Sequence, residues 1–202
     1  MPRLSALVTP IVTPELHEPV CDVPQPDAAP SVDDLAGDPG IADLTRKIAA
    51  NANDAVSRYK RGQVYASKRA YALAMQDFDA VIRLAPKDAK ALNNRCWTRA
   101  VVGDLQDALS DCNLALQIDP GLTDALNSRG LVNLKLGRSA EAIRDYTDAI
   151  QRDPRSSSSL FGRGIAKRKS GGDGAMDIAL AKSMDPNIAK EFVGYGVTEC
   201  TP

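Results

Sequence analysis

From residue 55 onward the apolar positions recur with a helical step, not with a strand's alternation. Ala74, Phe78 and Val81 stand at i, i+4 and i+7, as do Ala108, Cys112 and Ala115, and then Ala142, Tyr146 and Ala149. That spacing lines one face of an α-helix. A shorter stripe precedes each set: Gly62 and Tyr65, then Leu92 and Cys96, then Leu126 and Gly130. Two one-sided helices thus follow one another each time, and the unit returns after 34 residues. Pro86, Pro120 and Pro154 keep the interval, and so do Gly103, Gly137 and Gly171. Proline lacks a backbone donor and restricts the residue before it, so each one closes a second helix. The glycines suit a left-handed turn between paired helices, where a Cβ would be strained. The pattern predicts helix pairs breaking near Arg69, Gly103, Gly137 and Gly171, helices ending before the three prolines, and no β-strand between residues 55 and 185.

A helix pair of this kind leaves an apolar face uncovered, so neighbouring pairs must stack into an array. Small residues stand where helices have to approach: Gly62, Cys96, Gly130 and Gly164 in the first helices, Ala74, Ala108 and Ala142 in the second. Projected backward, the register puts Ile41, Leu44 and Ile48 on one face of a half-repeat helix, with Asp38 as its cap and Pro39 in its first turn. Projected forward, Pro186 arrives two residues early. The deletion falls near Gly171, Gly172, Asp173 and Gly174, so the last second helix is expected to be short. Ile188, Phe192 and Tyr195 then return to i, i+4, i+7 and are expected to cover the last open face. The division that follows is an arm over 1–39, a half-repeat helix over 40–53, repeats over 55–88, 89–122 and 123–156, a shortened repeat over 157–186, and a capping helix with tail over 187–202.

Composition alters the picture mainly at the N-terminus. Eight of the thirteen prolines lie at or before Pro39, in a stretch without helical or strand periodicity, which predicts a disordered arm. Arg3 precedes an apolar run from Leu4 to Val12, but Pro10 and the single positive charge make it a poor signal peptide. A formal charge of −1 offers no basic surplus for nucleic acid. No apolar run reaches the length of a membrane span.

Candidate chemistry is sparse. His17, the single histidine, stands in the arm without a partner acid or nucleophile at a defined spacing, and no glycine-rich loop follows a strand. The expectation is a chain without catalytic residues, metal or cofactor. A second periodic feature is ionic: Arg61, Arg95, Arg129 and Arg163 are matched by Asp77, Asp111, Asp145 and Asp177, one acid in each second helix. A structural ladder of ion pairs accounts for both columns, because a buried arginine without an acid is costly. Cys96 and Cys112 occupy facing core positions on either side of the Gly103 turn, a candidate disulfide pair. Nothing specifies a partner for Cys21 or Cys200, and no spacing fits zinc. The proline-rich arm and even cysteine count point to export and the weak signal sequence points the other way, so an exported, periplasmic location is slightly favoured over the cytoplasm.

With its 34-residue interval and its small–aromatic–small–aromatic–small–proline columns, the chain resembles the tetratricopeptide repeat family from residue 55 to about 186. It departs at the large first-helix position, which holds Arg58, Leu92, Leu126 and Leu160. The tyrosine column is kept at Tyr65 and becomes Arg99, Asn133 and Lys167. The resemblance implies an all-α, right-handed superhelical solenoid acting as a protein-interaction module for an extended peptide or a partner helix. Its groove positions correspond to Tyr59, Lys60 and Gln63, to Asn93, Asn94 and Trp97, to Asn127, Ser128 and Leu131, and to Phe161, Ile165 and Arg168. Trp97, Leu131, Phe161 and Ile165 are expected to form an open apolar floor. The subclass that clamps acidic chaperone tails has carboxylate-binding residues where this chain has Tyr59, Gln63, Asn94, Asp124 and Ser128. Only Asn94 agrees, and Asp124 repels a carboxylate, so a chaperone tail is not the expected ligand. The alternative role is an accessory subunit or scaffold of a cell-envelope assembly, held by fixed packing.

Overall fold

The computed structural model describes residue 30, residues 34–35 and residues 37–199. The arm through residue 29, His17, Cys21 and Cys200 lie outside the described residues. Ten helices follow one another, and no strand occurs among the described residues: α1 Pro39–Ala50, α2 Ala55–Ser67, α3 Tyr71–Leu84, α4 Ala89–Val102, α5 Leu105–Ile118, α6 Thr123–Lys135, α7 Ser139–Arg152, α8 Ser157–Lys169, α9 Ala175–Met184 and α10 Ile188–Gly194.

Local chemistry explains where these helices begin and turn. Asp38, Asp54, Asp88 and Ser156 each accept hydrogen bonds from backbone N–H groups of the first turn of α1, α2, α4 and α8. Three of those caps share the 34-residue step; the fourth place in the column is Leu122, and α6 starts without a side-chain cap. Gly103, Gly137 and Gly171 adopt φ of 95°, 73° and 79° between paired helices. Arg69 takes the same conformation at φ 62°, as the one non-glycine residue of positive φ among those described. The deletion in the fourth repeat shortens α9 to 10 residues where α3, α5 and α7 have 14. In place of the lost turn, the backbone of Gly174 lies against the Gly164 carbonyl, where a Cβ would overlap the oxygen.

Packing follows the stripes. Phe78, Cys112, Tyr146 and Ile178 enter the core from the second helices, against space left by Gly62, Cys96, Gly130 and Gly164. The first helices α4, α6 and α8 touch their counterparts in the next repeat, whereas the second helices make no comparable contact with one another. The array therefore curves, with first helices inside the bend and second helices outside it. One boundary differs from the sequence reading: Leu35, assigned to the arm, is buried with Ile41, Tyr65 and Phe78, so the ordered array starts before Pro39.

The two ionic columns meet within each repeat. Arg61 donates through Nε and Nη2 to Asp77, Arg95 to Asp111, Arg129 to Asp145 and Arg163 to Asp177, with closest distances between 2.6 and 2.8 Å. The four carboxylates are only 2–9% exposed. Each of the first three arginines also reaches back to the preceding second helix, to Thr45, Asp79 and Asn113. Those three stand 34 residues apart, a column of hydrogen-bonding residues that sequence reasoning overlooked although the interval was there to find. The altered tyrosine column has a role as well: Arg99, Asn133 and Lys167 donate a second bond to Asp111, Asp145 and Asp177. In the first repeat Tyr65 instead lies under the Arg61 guanidinium, 5.6 Å from its ring centre.

Candidate interaction groove

Because the first helices line the inside of the bend, residues at their exposed positions face one continuous surface. Its two halves differ. At the repeat-1 end, Tyr59 is half-buried with its ring 6.2 Å from Phe78, and Gln63 donates weakly to its hydroxyl at 3.4 Å. Burial raises the Tyr59 phenol above its ordinary range. Lys60 and Gln63 are exposed, and Asn94 and Asn127 are half-buried. Gln63, Ala66, Asn94, Trp97 and Thr98 border a cleft of 260 Å³ between α2 and α4. The Asn94 amide nitrogen is buried and makes no close hydrogen bond; the Tyr59 hydroxyl is the acceptor near it.

At the other end the surface is filled. Leu131, Phe161 and Ile165 are 1–3% exposed, not open, and belong to one apolar cluster with Ile188, Phe192 and Val197. The capping helix α10 does more than cover the last repeat. Phe192 stacks edge-on against Phe161 at 4.9 Å, and Tyr195 meets Trp97 of α4 at 5.5 Å. Trp97 is held on its other side by Tyr71, at 6.1 Å. Two more positions expected in the groove, Asn93 and Ser128, are buried as well. They stand on α4 and α6, two first helices that pack directly against each other.

Lys135 ties this arrangement together. Its Nζ donates to the carbonyls of Ala100 at 2.6 Å and Tyr195 at 2.7 Å. It thus supplies the end of α4 with one of the donors that a helix C-terminus lacks, and holds the residue after α10 in the same grip. Burial pushes the Lys135 ammonium below its ordinary range. Burial, with Glu191 nearby, pushes the Tyr195 phenol up to about 12. Arg168, expected to meet ligand, pairs with Glu199 at 3.7 Å. A cleft of 210 Å³ remains between this C-terminal segment and the first repeats, bordered by Arg69, Tyr71, Trp97, Glu191 and Tyr195.

The remaining sequence candidates are structural neighbours of the groove. Cys96 and Cys112 are bonded to each other, their Cα atoms 5.5 Å apart. The ladder arginines point toward the second helices, not into the groove. Asp177 illustrates their electrostatic effect: burial pushes its carboxyl up, but Arg163 and Lys167 outweigh that and hold it below the usual range. Among the described residues no cluster of His, Cys, Asp and Glu could hold a metal ion, and no helix is long and apolar enough to cross a membrane.

Comparison with known proteins agrees with this architecture. No curated protein matches the chain in sequence. Among solved structures, a MamA fragment from Desulfovibrio magneticus RS-1 superposes with a TM-score of 0.62 at 17% identity, over 73% of this chain and 84% of that one. YrrB, described as a tetratricopeptide protein with an unusual peptide-binding site, gives 0.58 at 20% identity over 76% and 80%. The first repeat domain of Spaghetti (RPAP3), solved with an HSP90 peptide, gives 0.55 at 21% over 58% and 94%. The tetratricopeptide repeat family model matches residues 59–123 and 127–171, more than half of the sequence. The chain belongs to the tetratricopeptide repeat family.

Proposed function

We propose that this chain is a non-enzymatic protein-interaction module that takes an extended peptide or a partner helix on the inner face of α2, α4 and α6. One observation carries the reading: on the inner face the amides of Gln63 and Asn94 stand beside the Trp97 indole around a cleft of 260 Å³. Side-chain amides beside an aromatic ring in a part-apolar cleft suit a peptide, since an amide can both donate to and accept from its backbone while the ring packs on a side chain. The peptide bound to the Spaghetti (RPAP3) domain and the peptide-binding site described for YrrB support the same reading. Peptides selected from a random library against the whole chain should lose about tenfold in affinity, or 1.4 kcal/mol, on Asn94→Ala. Affinity unchanged by both Asn94→Ala and Tyr59→Ala would contradict groove binding.

A second reading, an accessory subunit held by fixed packing in a cell-envelope assembly, is favoured by a different feature. Met176, Leu180 and Met184 form an exposed apolar stripe along α9, and Met176 is 84% exposed. The corresponding places on α7 are Arg144, Asp148 and Arg152. Stable co-purification with one envelope protein, abolished by Met176→Asp, would favour this role; a chain that purifies alone and binds peptides reversibly would not. Export suits either reading, because an oxidising compartment preserves the Cys96–Cys112 bond.

A further inference from the structure

The C-terminal segment packs on the last repeat and reaches Trp97 of α4. Ile188 and Phe192 on α10 and Tyr195 just after it keep a helical spacing, and Phe192 and Tyr195 set their rings against Phe161 and Trp97. Val197 follows in the same cluster after a turn at Gly196, φ 77°. This is the geometry of an amphipathic helix laid in a groove by anchors one and two turns apart. The helix itself is weakly built. It has 7 residues and no side-chain cap, far below the length at which an isolated helix persists in water. What fixes it is tertiary: aromatic edges, the Lys135 ammonium on the Tyr195 carbonyl, and Glu199 between Lys182 and Arg168. An uncapped helix this short owes its order to those contacts, so a partner that offers the same contacts can compete for its place.

We propose that residues 188–199 are a displaceable occupant of the groove, and that the partner at this end is an amphipathic helix carrying aliphatic and aromatic anchors at i, i+4 and i+7. The partner's chemistry is read from the occupant. Phe161 and Ile165 take a phenyl-sized anchor, Trp97 takes a second ring, and Lys135 donates to the carbonyl that follows the helix. In the free chain the internal segment competes for all of these, so the bound partner releases it. This rests on the interaction-module reading but can fail separately from it: Trp97 borders both the Asn94 cleft and the segment, whereas Asn94 and Gln63 border only the former.

The test uses the full chain and a synthetic peptide of its own residues 186–199, labelled with fluorescein. Trp97 is the single tryptophan and the peptide has none, so intrinsic fluorescence reports only the groove. In the Phe192→Asp variant the internal segment should leave, and Trp97 emission should shift to the red. The peptide should bind this variant at micromolar concentration and restore the emission, while binding wild type at least about tenfold more weakly. A Phe192→Asp copy of the peptide should not bind. Lys135→Met keeps the apolar floor intact and should give intermediate peptide affinity, which serves if Phe192→Asp does not fold. Equal peptide affinity for wild type and the folded variants would overturn the proposal. So would a folded, red-shifted variant that ignores the peptide, or loss of folding in both variants, which would make the segment part of the core. If the peptide fails while library peptides still depend on Asn94, only this inference falls.

Discussion

At the scale of single residues, the buried aspartates explain how an array with few aromatics holds its pairs together. Asp145 is the clearest case: Arg129 and Asn133 between them occupy both of its oxygens. Removing Arg129 leaves a buried carboxylate with an amide and no cation, so Arg129→Ala should cost about 3 kcal/mol. The double variant Arg129→Met/Asp145→Leu should recover most of that loss in urea denaturation, because the cost is the stranded charge. A double variant no better than the single one would show that the pair contributes net attraction. Tyr146 makes the opposite case. Its ring fills the space left by Gly130 and Gly162, but its hydroxyl is fully buried and unpartnered. Tyr146→Phe should therefore stabilise the chain by about 1 kcal/mol, and a destabilisation of that size would mean the hydroxyl has a partner in solution.

Elements in this chain are set by the 34-residue interval, and most of them were legible for that reason. Proline stops, glycine turns and i, i+4, i+7 stripes are local signals that do not depend on what packs against them. Even the shortening of α9 could be located, because Pro186 breaks register. What was missed at this scale is a substitution of kind: Arg99, Asn133 and Lys167 read as losses of a family tyrosine, although each answers a buried acid one helix away. Glycines of the two types should respond differently to alanine. Gly137→Ala meets no atom and suffers only its positive φ, about 1–2 kcal/mol. Gly174→Ala drives a methyl into the Gly164 carbonyl, which is backbone and cannot turn aside, so it should separate α8 from α9 and cost more. Thermal midpoints of the two variants decide it; equal shifts would mean the fourth repeat has room to rearrange.

For the whole molecule, the course of the C-terminal segment was not legible. Its stripe predicted a helix that covers something, but the Lys135–Tyr195 contact spans 60 residues and no interval marks it. Hence Leu131, Phe161 and Ile165 looked open: position on a first helix says which way a residue faces, not what arrives to cover it. The Cys96–Cys112 pairing was readable because the turn at Gly103 folds the two helices back on one another. In an oxidising compartment the crosslink, at a separation of 16, should contribute up to about 3 kcal/mol in the chain-entropy model. Reductant should then lower the urea midpoint, and quantitative alkylation of both thiols in unreduced protein would contradict an oxidised native state.

The central claim, that partners bind on the inside of the bend, is tested most directly by titrating a library-selected peptide into isotope-labelled protein and following amide shifts. The account predicts changes at Tyr59, Gln63, Asn94 and Trp97, with the outward faces of α3, α5 and α7 unmoved. Shifts confined to those outer faces, with the groove residues silent, would contradict it.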